Sequence, residues 1–245
     1  MTAPLFLVPP GTLAPGTTSL HLDGPEGRHA ADVQRLAPGE PVLVGDGAGR
    51  IATCTVTTAH RGALDLDVHD VREELGPDLR LVLVQALAKG DRDLMAVEAA
   101  TELDVDEIVP WQADRSIVRW KGERADKAHR RWQQVALAAT KQARRARIPA
   151  VAPLADRGAL VARAGAATLA LVLHEDAEEQ LTTVDIPSRG ELLLVVGPEG
   201  GLTPAELEAL TAAGARPVRL GRTVLRTSTA GAAALSALHT RSGWR

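Results

Sequence analysis

Leu192–Val196 is an unbroken run of leucine and valine. A strand with one wetted face alternates apolar and polar residues, so an unbroken run is buried on both faces. That is the condition of a parallel sheet covered by helices on each side. The run empties into Gly197-Pro198-Glu199-Gly200-Gly201 and then Thr203-Pro204-Ala205-Glu206. A threonine with glutamate three residues on, and proline at the first helical position, starts a helix, here expected over 203–213. The same grammar returns at once. A strand at 217–220 leads through Gly221, Arg222, Thr223, Val224, Leu225 and Arg226 into Thr227-Ser228-Thr229 and an alanine-rich helix, 227–240. Two loops at neighbouring carboxyl ends of a parallel sheet make a ligand crevice. Their glycines let backbone approach a ligand closely. Glu199 faces a cation, a ribose or solvent. Arg226 beside three hydroxyls at a helix start suits an anion or a polar ligand edge, although a hydroxyl there can also act only as a cap.

Upstream, strand and helix alternate from residue 80. Strands are expected at 81–87, 107–110, 168–173 and 191–196, and helices at 91–103 and 123–144. The last carries an apolar stripe through Ala125, Ala128, Trp132, Val135 and Ala139, with Lys127, Arg130 and Arg131 on its other face. Before residue 72 the pattern is different. Short alternating strands at 41–45, 50–58 and 63–69 surround the turn Asp46-Gly47-Ala48-Gly49, with one helix at 26–36 ended by Pro38-Gly39. The fold class is α/β. A small β-barrel fills 1–72, a charged Pro/Gly linker 73–79, and a parallel-sheet domain 80–245.

The chain is 45% hydrophobic and has one cysteine, Cys54, so an internal disulfide and a multi-cysteine zinc site are excluded. No cluster of metal ligands is visible. No leader opens the chain and no run is long enough to span a bilayer, so a cytoplasmic protein without membrane contact is expected. With no Tyr, one Phe and four Trp, an aromatic base-stacking platform is not expected. Neither a dinucleotide fingerprint nor a P-loop is present, nor a hydrolase elbow or zinc-protease helix. The net charge of −3 is unevenly spread. Between Arg115 and Arg147 stand eleven Lys/Arg and two acids, a local +9 against −12 elsewhere. Such a block is either a solvated helix face or a localised polyanion contact.

The wording of the two loops, GPEGG and then LGRTVLRTSTA, resembles the SPOUT methyltransferases, and within them the ribosomal RNA small subunit methyltransferase E family. The segments Leu87–Arg92, Ala100–Leu103, Arg115–Trp120 and Gln142–Pro149 agree, as do Arg28-His29 and Gly45-Asp46-Gly47, so the resemblance spans nearly the whole chain. It implies a PUA-like β-barrel, a SPOUT domain with a trefoil knot, and a homodimer. It also implies S-adenosylmethionine as methyl donor and methylation at N3 of a uridine in 16S rRNA of the 30S subunit. The cofactor positions it implies are Leu173, His174, Val196, Gly197, Pro198, Glu199, Gly200, Gly201, Leu220, Gly221 and Leu225. Arg226 is the implied catalytic residue, with His174, Glu199 or water accepting the proton. RNA contacts are expected at Arg28, His29, Lys89, Arg92, Arg115, Arg119, Arg144, Arg145 and Arg147. The chain departs from the common pattern at Ser228, where many members carry an acid, at Lys141-Gln142 and at Ala99. Methylation of a ribose 2′-hydroxyl or of tRNA, or a non-catalytic role in ribosome assembly, are the alternative readings.

Overall fold

The computed structural model describes residues 3–242. In chain order its elements are β1 (Leu5–Leu7), β2 (Ser19–Leu22), α1 (Gly24–Arg28), β3 (Pro41–Gly45), β4 (Arg50–His60), β5 (Ala63–Glu73), β6 (Leu79–Ala86), α2 (Arg92–Glu102) and β7 (Glu107–Trp111). They continue with α3 (Glu123–Ala143), β8 (Ala150–Val151), α4 (Arg157–Ala166), β9 (Leu169–Leu173), β10 (Gly190–Val196), α5 (Pro204–Ala212), β11 (Arg216–Val218) and α6 (Thr227–Ser242). They form two compact units, one of Met1–Gly76 with Thr140–Ile148, the other of Pro77–Ala139 with Pro149–Arg245.

The first unit is a five-stranded sheet in the order β1-β3-β4-β5-β2, antiparallel except for the β1–β3 pair. Its inner face buries Phe6, Leu13, Leu22, Val42, Val44, Cys54, Leu64 and Leu66. Burial raises the Cys54 thiol to about 11, so it packs as a small apolar group. The helix expected at 26–36 starts earlier and changes character. Pro25 favours an earlier first turn, and after α1 the chain widens into a π turn, His29–Val33, with Arg35 left-handed soon after. Gly27 is required there, because a Cβ would sit 2.4 Å from the carbonyl oxygen of Leu22. The segment 140–148 is fastened to this unit. Lys141 meets the Glu26 carboxylate at 2.8 Å, and the Arg147 guanidinium donates to the carbonyls of Ala48 and Glu74, each at 2.6 Å. β5 also runs to Glu73, past the expected end of the β domain, because Glu73 and Arg72 pair with Arg50 and Ile51 of β4.

The second unit holds a six-stranded parallel sheet in the order β11-β9-β10-β6-β7-β8. The chain enters in the middle at β6 and moves outward through β7 and β8. It then crosses back to β9, and β10 returns to lie between β9 and β6. The two faces of the continuous apolar strands serve different layers. Leu81, Leu83, Leu192, Leu194 and Val196 pack with Val97, Trp132, Ala234 and Leu238 of α2, α3 and α6. Val82, Val84, Leu193 and Val195 pack with Leu160, Ala164 and Leu210 of α4 and α5. This two-sided burial is what a run without polar alternation demands. α4 and the edge strand β8 were not expected. Asp156 caps α4 by accepting from the Ala159 N–H, a start signal present in the sequence.

Candidate functional site

Three parallel strands, β11, β9 and β10, end side by side, and their exit loops enclose a cleft of about 820 Å³ within the second unit. Its walls include Leu173 and His174 after β9, Val196 through Thr203 after β10, and Leu220 through Thr227 before α6. All eleven positions expected to hold a cofactor line this one cleft, as do Arg226, Arg92 and Arg115. Glu175, Asp176, Arg222, Thr223 and Val224 line it too. Arg222, Thr223 and Val224 lie inside the second loop the sequence reading singled out, without having been assigned a contact of their own, whereas Asp176 was not foreseen.

The GPEGG loop is braced from three directions. Gly201, at φ +68°, turns the chain back so that its N–H reaches the Pro198 carbonyl at 2.9 Å. Beyond it the anticipated capping box is present: Thr203 accepts from the Glu206 N–H while Glu206 reaches back to the Thr203 N–H at 2.8 Å. Glu206 is almost wholly buried and also takes the Asp114 N–H at 2.7 Å, so one carboxylate ties α5 to the segment after β7. From that segment Arg115 donates to the carbonyls of Gly200 and Leu202. Arg115 therefore supports the loop.

Glu199 closes the third side. Its carboxylate accepts the Lys89 N–H at 3.0 Å and meets the Arg92 guanidinium at 3.1 Å. Partial burial works against its charge. The N–H groups of Glu199 itself and Lys89, and the Arg92 cation, outweigh that and hold the carboxyl below its ordinary value. A carboxylate so engaged is a poor proton acceptor and a good strut between the loop after β6 and the loop after β10. Behind it, Asp93 is buried in α2, and desolvation pushes its carboxyl above the usual range.

His174 leaves β9 with its N–H on the Val218 carbonyl, and its Nδ1 accepts the Asp176 N–H at 3.2 Å. With Nδ1 accepting, the neutral ring carries its proton on Nε2. Arg226 is solvent-exposed on the cleft rim. It is the residue before α6, and its carbonyl accepts from Thr229 and Ala230 at 2.8 and 2.9 Å. The Thr227 hydroxyl, read from sequence as a possible helix cap, instead donates to the Gly197 carbonyl at 2.8 Å. Ser228 is buried and is not part of the cleft wall.

The remaining expected RNA contacts are dispersed. In the first unit Arg28 and His29 are exposed at the end of α1, Arg144 and Arg145 are half-buried, and Arg147 is committed to backbone carbonyls. In the second, Lys89 is exposed, and Arg119 is exposed while donating to the Asp114 carbonyl. Among the described residues no group of three or more His, Cys, Asp or Glu is placed to hold a metal ion, and no helix is long and apolar enough to cross a membrane.

Comparison with known proteins gives this geometry a context. Residues 76–239 match the RNA methyltransferase domain, and 22–68 the RNA methyltransferase PUA domain. The chain is 48% identical to a Mycobacterium tuberculosis protein named Ribosomal RNA small subunit methyltransferase E, across 97% of this chain and 92% of that one. It is 29% identical to the Bacillus subtilis protein of the same name, across 89% and 88%. Among solved structures, the Neisseria gonorrhoeae Ribosomal RNA small subunit methyltransferase E bound to S-adenosyl methionine superposes with a TM-score of 0.85. There the identity is 29%, and 98% of each chain is covered.

Proposed function

The chain belongs to the Ribosomal RNA small subunit methyltransferase E family of RNA methyltransferases, and from that premise we propose that it methylates N3 of a uridine in 16S rRNA, using S-adenosylmethionine. The observation that carries the proposal is the convergence of three strand-end loops on one cleft with the Arg226 guanidinium exposed at its rim, where α6 begins. The cleft fits the donor. It is of a volume that takes a nucleoside-sized ligand, its walls mix apolar side chains with bare loop backbone, and a Cβ built on Gly221 meets no protein atom within 4 Å. Val196–Gly201 and Leu220–Leu225 would hold the donor, with Leu173 and His174 between them. When bound, S-adenosylmethionine supplies an electrophilic methyl group on sulfur.

The protein's own part is positioning and charge stabilisation. The imide N3–H of uracil must lose its proton, and charge then spreads onto O2 and O4. Arg226, exposed at the rim with no acid paired to it in the cleft wall, donates to one of those oxygens as the charge develops. The cleft walls align N3 with the methyl group. Glu199 is engaged by Arg92, and the free nitrogen of His174 carries a proton, so water at the open mouth takes the proton from N3. Arg28, His29, Lys89, Arg119 and Arg144 contact rRNA phosphates, whereas Arg115 and Arg147 serve the fold. The enzyme works as a homodimer with a knotted second domain, in the cytoplasm, on the small ribosomal subunit.

Calorimetric titration with S-adenosylmethionine tests the donor assignment. The wild-type chain should bind, and Gly221→Val, which puts a branched side chain on the cleft wall where a Cβ meets no protein atom within 4 Å, should keep its Tm while losing at least tenfold in affinity. No binding by the wild-type chain would overturn the reading.

A further inference from the structure

β6 is apolar throughout its buried part except for Gln85, which is fully buried on the face shared with Leu83 and Leu87. Its Nε2 donates to the Thr227 hydroxyl at 2.8 Å and to the Ala86 carbonyl at 3.2 Å. Thr227, itself buried, donates onward to the Gly197 carbonyl at 2.8 Å. The Gln85 Oε1 has no partner. A methionine would fill the same space without stranding an acceptor, so what the amide adds at this position is its N–H groups. Those groups have a directional effect. Because Nε2 can only donate, the Thr227 oxygen must accept from it, and the one hydroxyl hydrogen of Thr227 is left to point at Gly197.

We infer that Gln85 is a positioning residue for methyl transfer, acting through Thr227 to hold the first peptide of the GPEGG loop and the start of α6 in one arrangement. This inference rests on the reading of the cleft given under Proposed function. Thr227 follows Arg226 directly, and Gly197 is the first residue of the loop assigned to the donor. The relay therefore fixes the separation between the group that stabilises the uracil anion and the backbone that holds the methyl donor. Packing alone sets only the depth of α6: a Cβ at Gly231 would come within 3.1 Å of the Leu83 side chain, so the helix already rests against β6. Gln85 and Thr227 supply the direction at its N-terminal end. Neither need touch the substrate, and Gln85 is outside the cleft wall.

Steady-state methyl transfer to small subunits lacking the modification, with donor affinity measured in parallel, tests this in Gln85→Met, Thr227→Val, Thr227→Ser and the Gln85→Met/Thr227→Val double variant. The two single variants should each lose at least tenfold in kcat, with a clearly smaller loss in donor affinity. Thr227→Ser, which keeps the hydroxyl, should recover most of the rate lost in Thr227→Val. The double variant should be no slower than the slower single one, because both changes cut the same relay. The inference is overturned if kcat stays within twofold of wild type in either single variant, if serine fails to rescue, if the losses multiply, or if donor affinity falls as far as kcat. Should the wild-type chain neither bind donor nor transfer methyl, the reading of the cleft fails, and this inference with it. A working wild type with indifferent variants sinks the inference alone.

Discussion

Arg226 is held at the cleft rim by its own backbone, which starts α6, so its side chain is free of structural duty. Arg226→Ala should lower kcat by about 10²–10³-fold, the cost typical of losing one preorganised donor to a developing anion, with donor affinity nearly unchanged. Single-turnover methyl transfer beside calorimetry separates the two effects. Glu199 behaves oppositely, as a strut. Its folded pKa is depressed, so its contribution is complete above the ordinary carboxylate value and fades as pH falls through the lower folded value. Donor affinity should therefore stay level from about pH 8 to 5 and weaken only below about 4.5, whereas in Glu199→Gln that acid limb should be missing. Loss of affinity centred near neutral pH would show that another group controls the loop. At this scale the sequence was legible where glycine and proline punctuate strands, since such residues declare their backbone geometry. It was opaque for Glu199, Arg115 and Arg147. Their partners lie 73 to 110 residues away, and one sequence carries no record of who meets whom.

The elements follow from local chemistry more faithfully than the contacts do. β3 and the start of α3 fall at the expected residues, since a continuous or alternating apolar pattern and a polar-faced stripe determine burial before any partner is known. α1 was displaced because the Gly24-Pro25 start and the widened π turn depend on a glycine packed under two carbonyls. α4 was missed although Asp156 offered a helix cap ahead of it. Two substitutions test the energetics assigned to elements. Thr203→Ala removes the N-cap of α5 and should cost about 1 kcal/mol in denaturant unfolding. Arg163→Met should cost about 3 kcal/mol, because the guanidinium binds both Glu107 and Glu191 and its loss leaves two largely buried carboxylates facing each other with only Arg80 nearby. An unchanged unfolding midpoint in Arg163→Met would show that the charge cluster at this end of the sheet contributes nothing net.

For the whole molecule, the strand order brings together loops far apart in sequence, from Arg92 to Arg226, and places the cleft where β10 returns between β6 and β9. That order was not readable from periodicity, which yields strands but not their neighbours. The basic residues assigned to rRNA phosphates make a further prediction at this scale. Affinity for small subunits should fall steeply with salt, and neutralising Arg28, Lys89 and Arg144 together should flatten the dependence by about three units of slope or fewer, as expected when phosphate contacts release counterions. The central claim, that the cleft and Arg226 methylate a uridine base, is tested most directly by transfer of a labelled methyl group to small subunits lacking the modification, followed by digestion to nucleosides and mass spectrometry. The account predicts label in 16S rRNA as N3-methyluridine, incorporated about 10²–10³-fold more slowly with Arg226→Ala. Label on a ribose 2′-hydroxyl or in tRNA, or full activity in Arg226→Ala, would contradict it.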